Sequence, residues 1–195
     1  MSRHLPRNQT LVALIVVGVA LFAAESALAQ FSFDPAVNTA LANRPDGVAF
    51  GDWDGDGDQD LAITSDDLDR INIYFNSGTG AFGAPVTILT GAGTGAGHVA
   101  AADLDGDLDL DLAVALQNAN TVFIALNNGA GTFTPGGTFA AGIEPRYIVT
   151  GDWNGDLDID LAVVNRDGNN VSILGNNGNG TFAAAVNVSV GLDPR

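Results

Sequence analysis

Residues Gly51 to Thr64 read GDWDGDGDQDLAIT, with Asp52, Asp54, Asp56, Asp58 and Asp60 on every second position. Two carboxylates about 4 Å apart repel by roughly 4 kcal/mol at a near-surface dielectric. Either a cation offsets that repulsion or the segment stays open to water. The stretch recurs twice. AADLDGDLDLDLAVA places Asp103, Asp105, Asp107, Asp109 and Asp111 in the same pattern, and TGDWNGDLDIDLAVV places Asp152, Asn154, Asp156, Asp158 and Asp160. A solvated acidic turn explains one such run. Three copies, each followed by an apolar segment, point instead to oxygen-only coordination of a hard divalent cation.

The elements that must position these carboxylates follow from the spacing. The first aspartates, Asp52, Asp103 and Asp152, are 51 and 49 residues apart. NSGTGAF at Asn76, NNGAGTF at Asn127 and NNGNGTF at Asn176 each begin 24 residues after the first aspartate of their copy. Two motifs holding one interval three times mark a repeated supersecondary unit. Within a unit the pattern is β throughout. GVAFGD enters the acidic loop and DLAITS leaves it; INIYFN alternates, the Asn-Gly segment supplies a hairpin turn, and APVTILT follows. Outside the first thirty residues nothing shows a helical period.

Four strands per roughly 50 residues, repeated, describe an all-β protein of β-propeller blades. The expected blades span about 46–95, 96–144 and 145–195. Residues 31–41 match the last strand of a unit whose first three strands are missing. Three blades and one extra strand fall short of the 4 to 8 typical of a propeller, so the chain is expected to be part of a larger one. Trp53 and Trp153 follow the first aspartate of their loops, where the second loop has Leu104. All are expected to pack between blades, and Phe82, Phe133 and Phe182 to be strand-end core residues.

The loops resemble the calcium loops of FG-GAP and VCBS repeats, the units of integrin-like β-propellers, whose pattern is D-x-[DN]-x-D-G-x-x-D before an apolar strand. The resemblance covers Phe31 to Arg195 and implies one calcium ion per loop, about three in all. Positions 1, 3 and 5 would supply side-chain oxygens: Asp52, Asp54 and Asp56; Asp103, Asp105 and Asp107; Asp152, Asn154 and Asp156. Position 7 (Asp58, Asp109, Asp158) resembles the family's backbone-carbonyl ligand, and position 9 (Asp60, Asp111, Asp160) would close the shell. Glycine at position 4 eases the curl. Position 6 is Gly57 in the first loop but Leu108 and Leu157 in the others. If φ there is positive, leucine costs about 1–2 kcal/mol; otherwise those loops follow another path. An EF-hand fits worse, because position 12 is Ile63, Val114 or Val163 rather than glutamate.

Composition narrows the function. There are 7 arginines, no lysine and 23 acidic residues, for a net charge of −16. Nucleic acid and anionic membrane surfaces are disfavoured as partners, because both need a basic face. Arg3 and Arg7 precede an apolar run from Leu11 to Ala24, and Ala27-Leu28-Ala29 fits a cleavage site. Residues 1–29 therefore read as a signal peptide, too short for a stable membrane span. A secreted or cell-surface location follows.

Catalysis is not expected. Cysteine and lysine are absent, and beyond residue 29 there is one histidine, His98, and one glutamate, Glu144. Asp66, Asp67 and Asp69 form an unrepeated acidic cluster that reads as a solvated turn. The expected role is a calcium-binding module for a protein or polysaccharide ligand, as in adhesion. The alternatives are a calcium-rigidified structural segment, or the non-catalytic part of a polysaccharide-acting enzyme. Open blade edges would also allow self-association.

Overall fold

The computed structural model describes residues 44–194; the expected signal peptide and the strand expected at 31–41 lie outside them. The described residues form twelve strands and no helix. In the first unit β1 (Pro45–Gly51), β2 (Asp60–Ser65), β3 (Arg70–Tyr74) and β4 (Val86–Leu89) make one antiparallel sheet in chain order. The second unit contains β5 (Ala96–Ala102), β6 (Asp111–Leu116), β7 (Thr121–Asn127) and β8 (Phe133–Ala140). The third contains β9 (Pro145–Gly151), β10 (Asp160–Asn165), β11 (Asn170–Leu174) and β12 (Val186–Ser189). Each is a four-stranded meander, the shape of a propeller blade.

Register follows from alternation. Leu61 pairs with Tyr74 and Ile63 with Asn72, and the equivalent Leu112 and Leu161 pair with Ala125 and Leu174. The Asn-containing turns close with φ of 77°, 70° and 74° at Gly78, Gly129 and Gly178, a conformation that glycine adopts without steric cost. Their ends are held by the pairs Asn76–Phe82, Asn127–Phe133 and Asn176–Phe182.

Successive blades meet mainly through their first strands, β1 against β5 and β5 against β9. Because side chains alternate across a strand, each blade has one face toward its predecessor and one toward its successor. Two cores result. Ala49, Trp53, Ala62, Ile71 and Ile73 of the first blade bury against Val99, Leu112, Val114 and Phe123 of the second. Leu104, Ala113, Val122 and Ile124 of the second bury against Ile148, Leu161, Val163 and Leu174 of the third. Thr64, fully buried, ties the first pair further: its hydroxyl donates to Gly97 O and accepts from Gly47 N.

The phenylalanines expected as strand-end core residues divide. Phe182 is buried and meets Phe139 of the preceding blade edge to face at 5.2 Å. Phe133 is partly buried against the first core, whereas Phe82 is 38% exposed because no blade faces it among the described residues.

The β2–β3, β6–β7 and β10–β11 turns, at the end opposite the acidic loops, hold the links between blades. Each has a left-handed residue: Asp69, Asn120 and Asn169, at φ 47°, 57° and 50°. The Asp69 carboxylate accepts from Gly93 N and Gly95 N, and Asn120 Oδ1 and Asn169 Oδ1 accept from Glu144 N and Asp193 N. Burial pushes the Asp69 pKa up, but the hydrogen bonds from Gly95, Gly93 and Thr94 together outweigh it and hold the group below the usual carboxylate range. Asp66 and Asp67 pair with Arg44. The unrepeated acidic cluster is thereby accounted for as a linker anchor.

Candidate metal centres

The three acidic loops join the first and second strands of their blades: residues 52–59, 103–110 and 152–159. All three curl the same way. Position 1 draws the loop around itself, since Asp52 accepts from Gly55 N and Gly57 N, Asp103 from Gly106 N and Leu108 N, and Asp152 from Gly155 N and Leu157 N. The N–H of position 5 turns to the side chain of position 3, and that of position 7 to the carboxylate of position 5. Position 6 has φ of 93° at Gly57, 75° at Leu108 and 78° at Leu157. The leucine loops therefore follow the glycine path and carry its strain.

Position 9 is buried in every copy: Asp60, Asp111 and Asp160. One oxygen accepts from the position-2 N–H (Trp53, Leu104, Trp153), and the other from the N–H of Asn76, Asn127 or Asn176. This residue locks the acidic loop to the Asn turn of its own blade. The side chain of position 7 lies over the turn glycine; a Cβ on Gly78 would come within 2.5 Å of Asp58 Oδ2, and Gly129 and Gly178 are crowded likewise by Asp109 and Asp158.

The structure brings together part of each expected ligand set. Carboxylate oxygens of Asp52, Asp54 and Asp56 lie within 4.8 Å of one another, as do those of Asp103, Asp105 and Asp111. Asp58 and Asp60 stand outside the first group, and Asp107 and Asp109 outside the second. Among the described residues no three carboxylates of the third loop gather so closely. There Asn154 replaces the aspartate and its Nδ2 donates to Asp156 Oδ2 at 2.7 Å.

Electrostatics distinguish the loops from ordinary surface. Burial raises the Asp54 pKa, with the charges of Asp60, Asp56 and Asp52 adding to it against the Asp56 N–H. Burial and then the Asp107 charge raise Asp105. Asp111 is pushed up to about 6, first by burial, with the N–H groups of Asn127 and Leu104 opposing and Asp105 and Asp107 adding. Negative charge here is crowded and undercompensated by the protein. An all-oxygen donor set in that state fits a hard divalent cation, and Ca²⁺ best, since it tolerates irregular shells.

The Asn turns carry a function that the sequence shows only as an interval. Asn127 Nδ2 and Gly131 N of the second blade both donate to Trp53 O in the first blade's acidic loop, at 2.9 and 2.7 Å. Asn176 Nδ2 and Gly180 N of the third donate to Leu104 O in the second, at 2.9 and 2.8 Å. Each acidic loop with a following blade is therefore clasped by it. The constant 24-residue interval is the signal for this.

Blades of this shape, each with an acidic loop between its first two strands, define a β-propeller-like repeat array. The chain belongs to the FG-GAP-like repeat family, whose pattern matches residues 52–114 and again 106–163. Two solved structures similar to it are a putative 6-phosphogluconolactonase from Bacteroides fragilis (20% identity, TM-score 0.60) and an Agrocybe aegerita lectin that recognises non-reducing terminal N-acetylglucosamine (24% identity, TM-score 0.50). They align with 77% and 70% of this chain, which spans only 40% and 36% of theirs. At these identities the likeness is one of fold. Among curated proteins there is no match.

Proposed function

We propose that the chain is a calcium-binding β-propeller repeat module, exported from the cell, that presents a binding surface for a protein or polysaccharide. The observation that carries the metal reading is the convergence of Asp52, Asp54 and Asp56, and of Asp103, Asp105 and Asp111, within 4.8 Å. Asp52, Asp54 and Asp56 would hold the first ion; Asp103 and Asp105, with the inner Asp111, the second; Asp152, Asn154 and Asp156 the third, more weakly. A bound cation would neutralise the loop and stiffen the link to the Asn turn. Position 9 already ties that link, which also favours the plainer alternative of a calcium-rigidified structural segment.

No catalytic role is assigned. Glu144 is paired with Arg146 and Arg166, and His98 stacks on Tyr147 with centroids 3.8 Å apart. Burial holds the His98 pKa below its ordinary value, with Asp46 pulling the other way. A propeller that includes this arc could carry a ligand site, or a fused catalytic domain, elsewhere.

Calorimetric titration with Ca²⁺ tests the metal reading. Wild type is expected to bind in the range of about 10⁻⁴–10⁻³ M, as extracellular calcium modules do. Asp56→Ala is expected to remove one site and leave the rest. Equal stoichiometry in both proteins, or none, overturns the reading. Export is tested by N-terminal analysis of secreted material, with Gln30 expected as the first residue.

A further inference from the structure

The sequence holds four Asn-Gly steps: Asn128–Gly129, Asn154–Gly155, Asn177–Gly178 and Asn179–Gly180. Such a step is chemically labile, because glycine has no Cβ to keep its amide nitrogen from the preceding side chain. All four asparagines are exposed, so access does not rank them. The fold does. In three of the four the glycine N–H is engaged: Gly155 N donates to Asp152 Oδ1 at 2.7 Å, Gly178 N to Asn176 Oδ1 at 3.0 Å and Gly180 N to Leu104 O at 2.8 Å. The N–H of Gly129 has no acceptor among the described residues.

The Asn128 side chain is poised at the other end of the same reaction. Its Oδ1 accepts from Ala130 N at 3.1 Å and from Thr132 N at 3.2 Å, which folds the amide back along the Asn128–Gly129 peptide. Two N–H donors on that oxygen polarise the carbonyl and stabilise the negative charge it takes up under attack, as an oxyanion hole does. The leaving nitrogen is unheld. Asn128 Nδ2 donates to nothing among the described residues, whereas Asn154 Nδ2 is bound to Asp156 and Asn177 Nδ2 to Thr181. The step lies in the middle blade, which has a described blade on either face. Its turn forms the clasp, since Asn127 and Gly131 on either side of it hold Trp53 O.

We propose that Asn128 is a site of spontaneous intramolecular modification that releases the clasp on the first acidic loop. The Gly129 nitrogen, its proton taken up by solvent base, attacks Asn128 Cγ. A Cγ–N bond forms, the Cγ–Nδ2 bond breaks, and the amide nitrogen leaves as ammonia with a proton returned from solvent. The cyclic imide then takes up water at either of its carbonyls, giving aspartate or isoaspartate at position 128. No oxidant or cofactor enters. Isoaspartate adds a methylene to the backbone between Asn127 and Gly131, so the two donors to Trp53 O lose their spacing. Either product adds a negative charge near Asp109, whose carboxylate lies over Gly129. The joint between the first and second blades thereby loosens with age.

The test is peptide mapping of the intact chain aged in EDTA at neutral pH, so that calcium plays no part, against the same chain aged unfolded in guanidinium. Cleavage after arginine puts Asn128 in the fragment 71–146, Asn154 in 147–166 and the other two in 167–195. Tandem mass spectrometry, with enzymatic methylation of isoaspartate, then reads each position. In the folded chain, position 128 is expected to convert several-fold faster than the other three; in the unfolded chain the four should convert at similar rates. Asn128→Ser keeps an oxygen for the Ala130 and Thr132 N–H groups but has no amide to lose. Aged wild type should melt below fresh protein in step with conversion, while aged Asn128→Ser should melt as it did when fresh. An unmodified position 128 in the folded chain, the same ranking folded and unfolded, or melting that does not follow conversion each overturns the proposal.

Discussion

Trp53 and Trp153 sit at the same position of nearly identical loops, GDWDGD and GDWNGD, in opposite surroundings. Trp53 is fully buried, its carbonyl clasped by Asn127 and Gly131 of the next blade. Trp153 is half exposed, and the start of its loop with it: Asp152 and Asn154 are exposed where Asp52, Asp54, Asp103 and Asp105 are half-buried. A repeat fixes its own strands and curl, but the seating of its acidic loop is a property of the pair. In a repeat array, stability is accordingly a sum of intrinsic and nearest-neighbour terms.

The sharpest way to break this comparison is to truncate both tryptophans. Trp53→Ala should cost about 3–5 kcal/mol, the usual loss for a large aromatic removed from a core. Trp53 Nε1 has no hydrogen-bond partner among the described residues, so the loss would be one of packing alone. Trp153→Ala should cost less than about 1 kcal/mol in dilute solution, given its exposure. Urea denaturation of both variants, followed through the remaining tryptophan, measures the gap. Equal losses would mean that the third blade's face is covered in solution.

A second contrast runs within one loop, between its root and its tip. Asp60→Ala leaves the buried N–H of Trp53 and the part-buried N–H of Asn76 without their acceptor, and a buried orphan costs about 1–3 kcal/mol. Asp56→Ala removes an exposed side chain that accepts only from Asp58 N, so without calcium the change should stay within about 0.5 kcal/mol. In calcium the order should tighten, because Asp56→Ala then also forfeits the binding energy of one ion. Denaturation in EDTA and in calcium separates the two roles; matched losses in EDTA would refute the division.

That division shows what is legible in the sequence and what is not. Strand order, the period and the acidic loops are written in local alternation and in repeated intervals, and the structure holds all three. The difference between Asp56 and Asp60 is not so written. Both are aspartates on the same alternating pattern, and only contact with Asn76, sixteen residues on, makes one a lock. Trp153 is illegible for the same reason: burial depends on a neighbouring blade, and its own segment matches that of Trp53. At Leu108 and Leu157 the sequence leaves strain and a changed path equally open, and the observed φ decides for strain.

The middle blade, covered on both faces, adds a pH test. Asp111 has its pKa raised to about 6 in the folded chain, chiefly by burial, against an ordinary value of 3.8. A raised carboxylate pKa means that the folded state holds the proton more tightly. Without calcium, stability should therefore rise as pH falls from 7.5 through 6 toward 5, by about 1 kcal/mol from this group. Asp111→Asn should flatten that rise. With calcium the sign reverses over the same window, because protons compete with the metal for the loop. Melting curves across pH in EDTA and in calcium would show both slopes; parallel profiles would exclude metal at this loop.

The smallest effect sharpens the comparison most finely. Leu108 and Leu157 both have left-handed backbones, at φ 75° and 78°, and are 89% and 87% exposed, so neither is held there by packing of its own side chain. Replacing leucine with glycine relieves about 1–2 kcal/mol of strain and costs about 0.5–1 kcal/mol in added freedom of the unfolded chain. Leu108→Gly should thus stabilise by a few tenths to about 1 kcal/mol. Among the described residues no blade packs on the third loop to hold it on the strained path, and there it can relax at its tip before the blade unfolds. Leu157→Gly should then stabilise less than Leu108→Gly, although the two positions match in sequence, angle and exposure. Thermal melting of the two variants in EDTA reads the difference. A gain at Leu157 equal to that at Leu108 would mean that the curl is held by the loop's own hydrogen bonds to Asp152, with no share for the clasp.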